Sequence, residues 1–207
     1  RQRQMCIRDS PLRLALEVQS LMNQNDWLVI DGGNTHFWSE IAVNMAGAQG
    51  KELAGILHPG SFSMLGVGVS FGLAAKLNNP KDRVVVISGD GAFLSGGLSI
   101  EAAFQENVPI TVVIDNNGGL TTISQQQERL FADERHVATD FRDIPFHTMF
   151  EGMGGHGELV EKPEDLKPAL ERALSSGKTA CVNVRTRSAI SPIVLATTSK
   201  RDKASIE

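Results

Sequence analysis

The chain has 207 residues, 41% hydrophobic and 21% charged, a balance ordinary for a globular protein with a sizeable core. Its formal charge of −4 argues against a general nucleic-acid surface, and no apolar run approaches the ~18 residues that span a bilayer. The two cysteines, Cys6 and Cys181, cannot make a disulfide framework, so a reducing cytoplasm is the expected compartment.

Residues Arg1 to Ser10 carry three arginines and one aspartate and lack the apolar core of a signal peptide; they read as a non-native leader. The fold pattern begins at Pro11, where Leu12, Leu14, Leu16, Val18 and Leu21 with polar residues between them predict an amphipathic helix. Trp27 to Asp31 reads as a short strand, and Gly32-Gly33-Asn34-Thr35 turns into a helix through Phe37 to Met45. A Pro-Gly-Ser loop then leads into a small-residue helix from Gly66 to Ala75. Arg83 to Ser88 and Ile110 to Asp115 are strongly apolar and predict buried parallel strands, with a helix over Leu98 to Glu106 between them. Leu120 to Asp143 is polar and poorly periodic, and reads as a loop that covers a site or stays mobile. Phe146 to Phe150 follows, then a strand at His156 to Val160 and a helix opened by Pro163 and closed before Gly177. A last strand carries Cys181, an expected inert core thiol. The alternation predicts an α/β fold around a parallel sheet, with one domain over residues 11–190 and a tail over 191–207.

The two apolar strands close on Gly89-Asp90-Gly91 and on Asn116-Asn117, with 24 residues between Gly91 and Asn116. Ligands of parallel sheets bind at the carboxyl ends of the strands, where Asp90 and Asn117 fall. Asp90 offers a hard anionic oxygen and Asn117 a neutral amide oxygen, a mixture suited to magnesium that also takes water and phosphate oxygens. Gly89 and Gly91 permit a sharp turn, and the amides of Gly91 and Ala92 are candidate donors to an anion. Gly118-Gly119 exposes a bare carbonyl as a third candidate metal ligand. A competing reading takes Gly66-Val67-Gly68 and Gly72 as a dinucleotide fingerprint. That motif follows a strand directly, whereas a loop precedes these glycines and their spacing is one residue too long.

A Gly-Asp-Gly followed about two dozen residues later by Asn-Asn resembles the cofactor signature of thiamin diphosphate enzymes. His58 to Ala75 is similar to the loop and helix preceding that signature in the acetolactate synthase and benzaldehyde lyase branch. The resemblance implies a three-layer sandwich, a central parallel sheet with helices on both faces. It implies that Asp90, the Asn117 side chain and the Gly119 carbonyl bind magnesium, which anchors the cofactor diphosphate. It also implies that a large apolar residue ahead of the first helix glycine wedges under the thiazolium ring. Leu65 holds that position with Met64 as neighbouring competitor, and both also fit an ordinary core role. The turn after the first strand reaches the diphosphate in the family, which makes Asn34 and Thr35 candidates beside a helix-cap role.

Five histidines show no metal-ligand spacing; His36 and His58 fall on segments that approach the cofactor face and are candidates for proton transfer, whereas His156 reads as remote. The resemblance covers the diphosphate-binding half of an enzyme that makes or breaks carbon–carbon bonds beside a carbonyl, as 2-oxo acid decarboxylases and carboligases do. Its partner is a pyrimidine-binding module carrying the activating glutamate, on the same chain or on another subunit, in a homo-oligomer. This chain alone is therefore expected to lack turnover, and Gly66 to Ala75 to meet the partner. A split-enzyme subunit and a non-catalytic scaffold are the alternatives. Gly118-Gly119-Leu120 departs from the acidic residues that acetolactate synthases often carry after the Asn pair.

Overall fold

The computed structural model describes residues 10–131 and 136–196. The leader read at the start lies outside the described residues apart from Ser10, as does the tail beyond residue 196. Ser10 caps the first helix, α1 (Pro11–Leu21), by accepting the Arg13 amide at 3.1 Å, and Pro11 opens it.

Six strands form one sheet in the order β2-β1-β3-β4-β6-β5, with every neighbouring pair parallel. They are β1 (Trp27–Asp31), β2 (Gly55–Leu57), β3 (Val84–Gly89), β4 (Thr111–Asn116), β5 (His156–Val160) and β6 (Ala180–Arg185). Side chains alternate across the pleat and sort the core into two layers. Leu28, Ile30, Val85, Ile87, Val113, Val182 and Val184 face α1 and α8 (Pro163–Ser175). Val29, Val84, Val86, Val112, Ile114 and Cys181 face the opposite layer. That layer is built from α3 (Gly68–Asn78), α4 (Asp90–Gly96), α5 (Glu101–Gln105) and α7 (Phe146–Gly152). The result is a three-layer α/β sandwich. Phe93, Phe104, Phe146 and Phe150 form an aromatic cluster with edge and tilted contacts at 5.5–6.0 Å.

The chain leaves β1 toward β2 on one side and returns to β3 on the other, so the strand order reverses between β1 and β3. Such a switch point opens a crevice at the carboxyl ends of the two strands. Asp31 ends β1, and Asp90 directly follows β3.

Several elements differ from the sequence reading, among them β2 and α4, which it did not contain. The segment read as a polar loop contains α6 (Thr121–Phe131), whose Ser124 is buried and whose Thr122 and Gln125 bond to Asn34. It is mostly polar, and its Ile123 and Phe131 are exposed, so few apolar residues mark it as a packed helix. The single helix read over Leu98 to Glu106 is a 3-10 turn (Gly97–Ile100) followed by α5. The helix after β1 is α2 (Asn34–Ala48), so Asn34 and Thr35 lie inside its first turn rather than ahead of it. Among the described residues, no helix is long and apolar enough to cross a membrane.

Candidate functional site

The Gly-Asp-Gly turn and the Asn pair meet at the carboxyl ends of β3 and β4, which run side by side with Gly89 opposite Asp115. Asp90 is only 2% exposed, and its carboxylate collects three backbone donors. Gly91 donates to Oδ1 at 2.7 Å, and Gly118 and Gly119 donate to Oδ2 at 2.8 and 3.0 Å. The loop after the Asn pair is therefore folded over Asp90. Both glycines there have positive φ, +86° and +156°, and a Cβ on Gly119 would sit 2.2 Å from the Thr139 carbonyl. The Gly91 amide, a candidate anion donor, is taken by Asp90 itself, and Ala92 is buried in the first turn of α4.

Asn117 Oδ1 is buried and has no hydrogen-bond partner among the described residues. Buried polar atoms are normally paired, so this oxygen is short of a ligand. The Gly119 carbonyl accepts the Thr121 amide at 2.8 Å, which leaves its second lone pair. Asp90, Asn117 and Gly119 thus offer an all-oxygen donor set of one carboxylate, one amide and one carbonyl. That set fits a hard divalent cation.

The electrostatics point the same way. Burial, and then the Asp115 charge, push the Asp90 carboxyl up to about 7 against the pull of its three amide donors. Asp115 is fully buried and raised by burial, with Thr186 and Thr35 hydroxyls opposing the rise. Two carboxylates held this deeply repel each other when both are ionised, and a dication beside Asp90 relieves that repulsion.

Thr35 donates its hydroxyl to Asp115 Oδ2 at 2.7 Å, so the side chain ties α2 to β4. Asn34 is equally engaged, with its Nδ2 on Gln125, its amide on Thr122 Oγ1, and its Oδ1 accepting from the Ser191 amide. Both are buried, and their side chains bond to the protein rather than project from the helix start.

Leu65 and Met64 are 39% and 60% exposed, which removes the ordinary core reading of both. They follow a 3-10 turn at Gly60–Phe62, and Gly66 behind them has φ +89°. The Gly66-Val67-Gly68 run emerges from this loop and not from a strand, so it lacks the setting of a dinucleotide fingerprint. The residue missed in the sequence is Asp31. It is 1% exposed and its Oδ2 accepts the amides of Gly66 at 3.1 Å and Gly68 at 2.7 Å, pinning the segment that follows Leu65 to the end of β1. Burial raises Asp31 while those amides, with Gly32 and His36, pull it down. An acidic residue ending the first apolar strand beside a Gly-Gly turn was the available signal.

His156 opens β5 at the amino edge of the sheet and pairs with Glu158, away from the site. His36 and His58, far apart in sequence, stack edge to face at 5.2 Å, with Glu40 beside His36.

The family model described as "Thiamine pyrophosphate enzyme, C-terminal TPP binding domain" matches residues 31–184. The chain belongs to this family of thiamin diphosphate enzymes. The matched span runs from Asp31, the last residue of β1, to Val184 in β6, and includes Asp90, Asn117 and Gly119. The fold is accordingly the thiamin diphosphate-binding fold, and the cofactor of the family is thiamin diphosphate. The chain is 36% identical over 178 residues to the acetolactate synthase large subunit IlvG of Mycobacterium tuberculosis (strain ATCC 25618 / H37Rv), covering 85% of this chain and 31% of that protein. It is 30% identical over 173 residues to 2-hydroxyacyl-CoA lyase 2 of Mus musculus, covering 83% of this chain and 26% of that protein. It is 28% identical over 174 residues to the catabolic acetolactate synthase of Raoultella terrigena, covering 84% of this chain and 30% of that protein. The chain thus spans about a third or less of the curated relatives it matches.

Proposed function

We propose that this chain binds magnesium and the diphosphate of thiamin diphosphate as the C-terminal module of an acetolactate synthase-like enzyme. The enzyme makes or breaks a carbon–carbon bond next to a carbonyl, with a 2-oxo acid or related carbonyl compound as substrate. The observation that carries this reading is the buried, unpartnered Asn117 Oδ1, two residues ahead of the Gly119 carbonyl in the loop folded over Asp90. Asp90 supplies the charge that holds the metal, Asn117 and Gly119 supply neutral oxygens, and the amides of Gly118 and Gly119 keep the Asp90 carboxylate aimed. Leu65, exposed in the loop ahead of Gly66, is the residue on which the thiazolium ring would rest. Thiamin diphosphate supplies the carbanion-stabilising chemistry when bound. The chain's own work is to hold the metal and diphosphate and to set the ring's geometry. Activation of the aminopyrimidine belongs to a separate pyrimidine-binding module, so turnover requires that partner. Relatives named as acetolactate synthases and as 2-hydroxyacyl-CoA lyases bracket the reaction class.

Asn117→Ala tests the metal assignment cleanly, because Oδ1 has no partner to lose among the described residues. Unfolding of the two proteins should coincide without ligand. With magnesium and thiamin diphosphate at a hundredfold excess over Kd, the unsubstituted chain gains about 2.7 kcal/mol and the variant gains much less. Equal gains in both, or no gain in the unsubstituted chain, would overturn the reading.

A further inference from the structure

We propose that His36, Glu40 and His58 form a second metal site, for a zinc-class divalent transition ion, at the carboxyl edge of β1 and β2. It shares no residue with the Asp90 set and stands whether or not that set holds magnesium.

His36 and Glu40 lie one helical turn apart on α2 and so project from one face. His36 Nε2 and Glu40 Oε1 are 2.9 Å apart. His58 arrives from the chain just past β2, and its ring meets the His36 ring edge to face at 5.2 Å. One ligand atom from each of the three residues lies within 4.8 Å of the other two. An ordinary helical His–Glu pair accounts for two members of this group. It does not account for a second imidazole brought in from 22 residues away by the β2 crossover.

The donor chemistry selects the ion. Two imidazole nitrogens and one carboxylate oxygen make a set that zinc uses with a fourth position open. Imidazole suits zinc, copper and nickel, whereas magnesium takes oxygen, so the two sites should not compete for the same ion. Metal–ligand bonds of about 2.0–2.1 Å in a tetrahedron place donor atoms roughly 3.3 Å apart. The His36–Glu40 pair needs to open by only a few tenths of an ångström. His58 makes the larger move, and its exposed ring has room for it. At present its Nδ1 accepts the Gly60 amide at 3.2 Å. A neutral imidazole that binds metal through one nitrogen carries its proton on the other, so either mode of binding gives up that contact. The contact is at the long end of the hydrogen-bond range, so little is lost. An ion here fastens the start of the loop that carries Leu65 onto α2.

The test is a calorimetric zinc titration of the 207-residue chain with magnesium in excess, repeated with cobalt and read by visible absorption. The expected result is one zinc per chain, weakened by more than about tenfold in His36→Gln and in His58→Gln. His136→Gln should bind as the unsubstituted chain does. His58 is exposed, so its variant keeps the fold. Four results would overturn the site: no zinc uptake, unchanged uptake in both His36→Gln and His58→Gln, loss in His136→Gln, or a thiolate signature in the cobalt spectrum pointing to Cys6 or Cys181.

Discussion

Asp31 and Asp90 solve the same local problem by the same means, each a buried carboxylate at a strand end that holds a glycine-containing segment by its amides. The two clamps differ in the segment each one grips. The loop held by Asp90 carries the proposed metal ligands, and the segment held by Asp31 begins directly after the proposed wedge, Leu65. An Asn at position 31 keeps the shape but replaces one of the two carboxylate oxygens by an NH2 group. If its oxygen takes the Oδ2 position, which now accepts two amides, it does so without a charge; if the NH2 takes it, two donors face a donor. Asp31→Asn should therefore lower stability by roughly 1–3 kcal/mol in urea unfolding. It should also weaken the stabilisation by thiamin diphosphate, because Leu65 is no longer fixed. A variant as stable as the unsubstituted chain with full cofactor stabilisation would show that the clamp positions nothing. Thr35 and Asp115 complete the set one layer deeper, where the hydroxyls of Thr35 and Thr186 are the donors that keep the fully buried Asp115 satisfied.

Among the elements, β5 and α8 are tied by Glu158, whose carboxylate takes Arg172 at 2.7 and 2.8 Å and His156 at 2.8 Å. The Arg172 hydrogen bonds first, then His156, hold the Glu158 carboxyl below the usual glutamate value. A depressed carboxyl stabilises the folded state above its unfolded value of 4.5, and that contribution is lost as pH falls below it toward the folded value. Glu158→Gln should lower stability at neutral pH and flatten the acid side of the stability curve below 4.5, measured by urea midpoints across pH. An acid limb identical to that of the unsubstituted chain would remove Glu158 from it. Asp31 and Asp115 act in the opposite sense, since raised carboxyls hold protons in the folded state and favour it toward low pH. The legibility of each element depends on its physics. β1, β3, β4 and β6 are buried on both faces and read as continuous apolar runs, so the central sheet and the Asp90 and Asn117 positions were evident. β2 is a three-residue edge strand with too little sequence to carry a pattern. α6 hides because it is mostly polar. The convergence of His36, Glu40 and His58 was invisible, since it depends on where the crossover to β2 returns the chain and not on any spacing.

At the level of the whole molecule, two segments that approach through their backbones present a run of exposed apolar side chains. Gly66 and Gly96 are so close that a Cβ on Gly96 would lie 2.1 Å from the Gly66 carbonyl oxygen. Phe62, Met64 and Leu65 lead up to this contact, and Leu94 and Leu98 flank it, with Phe62 93% and Leu98 68% exposed. Large apolar groups clustered beside a proposed cofactor site mark a surface that another body covers. We propose that the pyrimidine-binding module covers it, which would bring its glutamate to the cofactor while Asp90, Asn117 and Gly119 hold the metal. The chain alone, supplied with magnesium and thiamin diphosphate, should then release no measurable carbon dioxide from pyruvate, a simple 2-oxo acid. Adding the separately produced pyrimidine-binding module of an acetolactate synthase relative should restore release. Leu98→Asp should abolish that rescue, because burying an unpaired carboxylate is costly, while leaving the magnesium-dependent thermal stabilisation of the isolated chain intact. Rescue that survives Leu98→Asp would place the module on another face, and turnover by the chain alone would show that the module is not required.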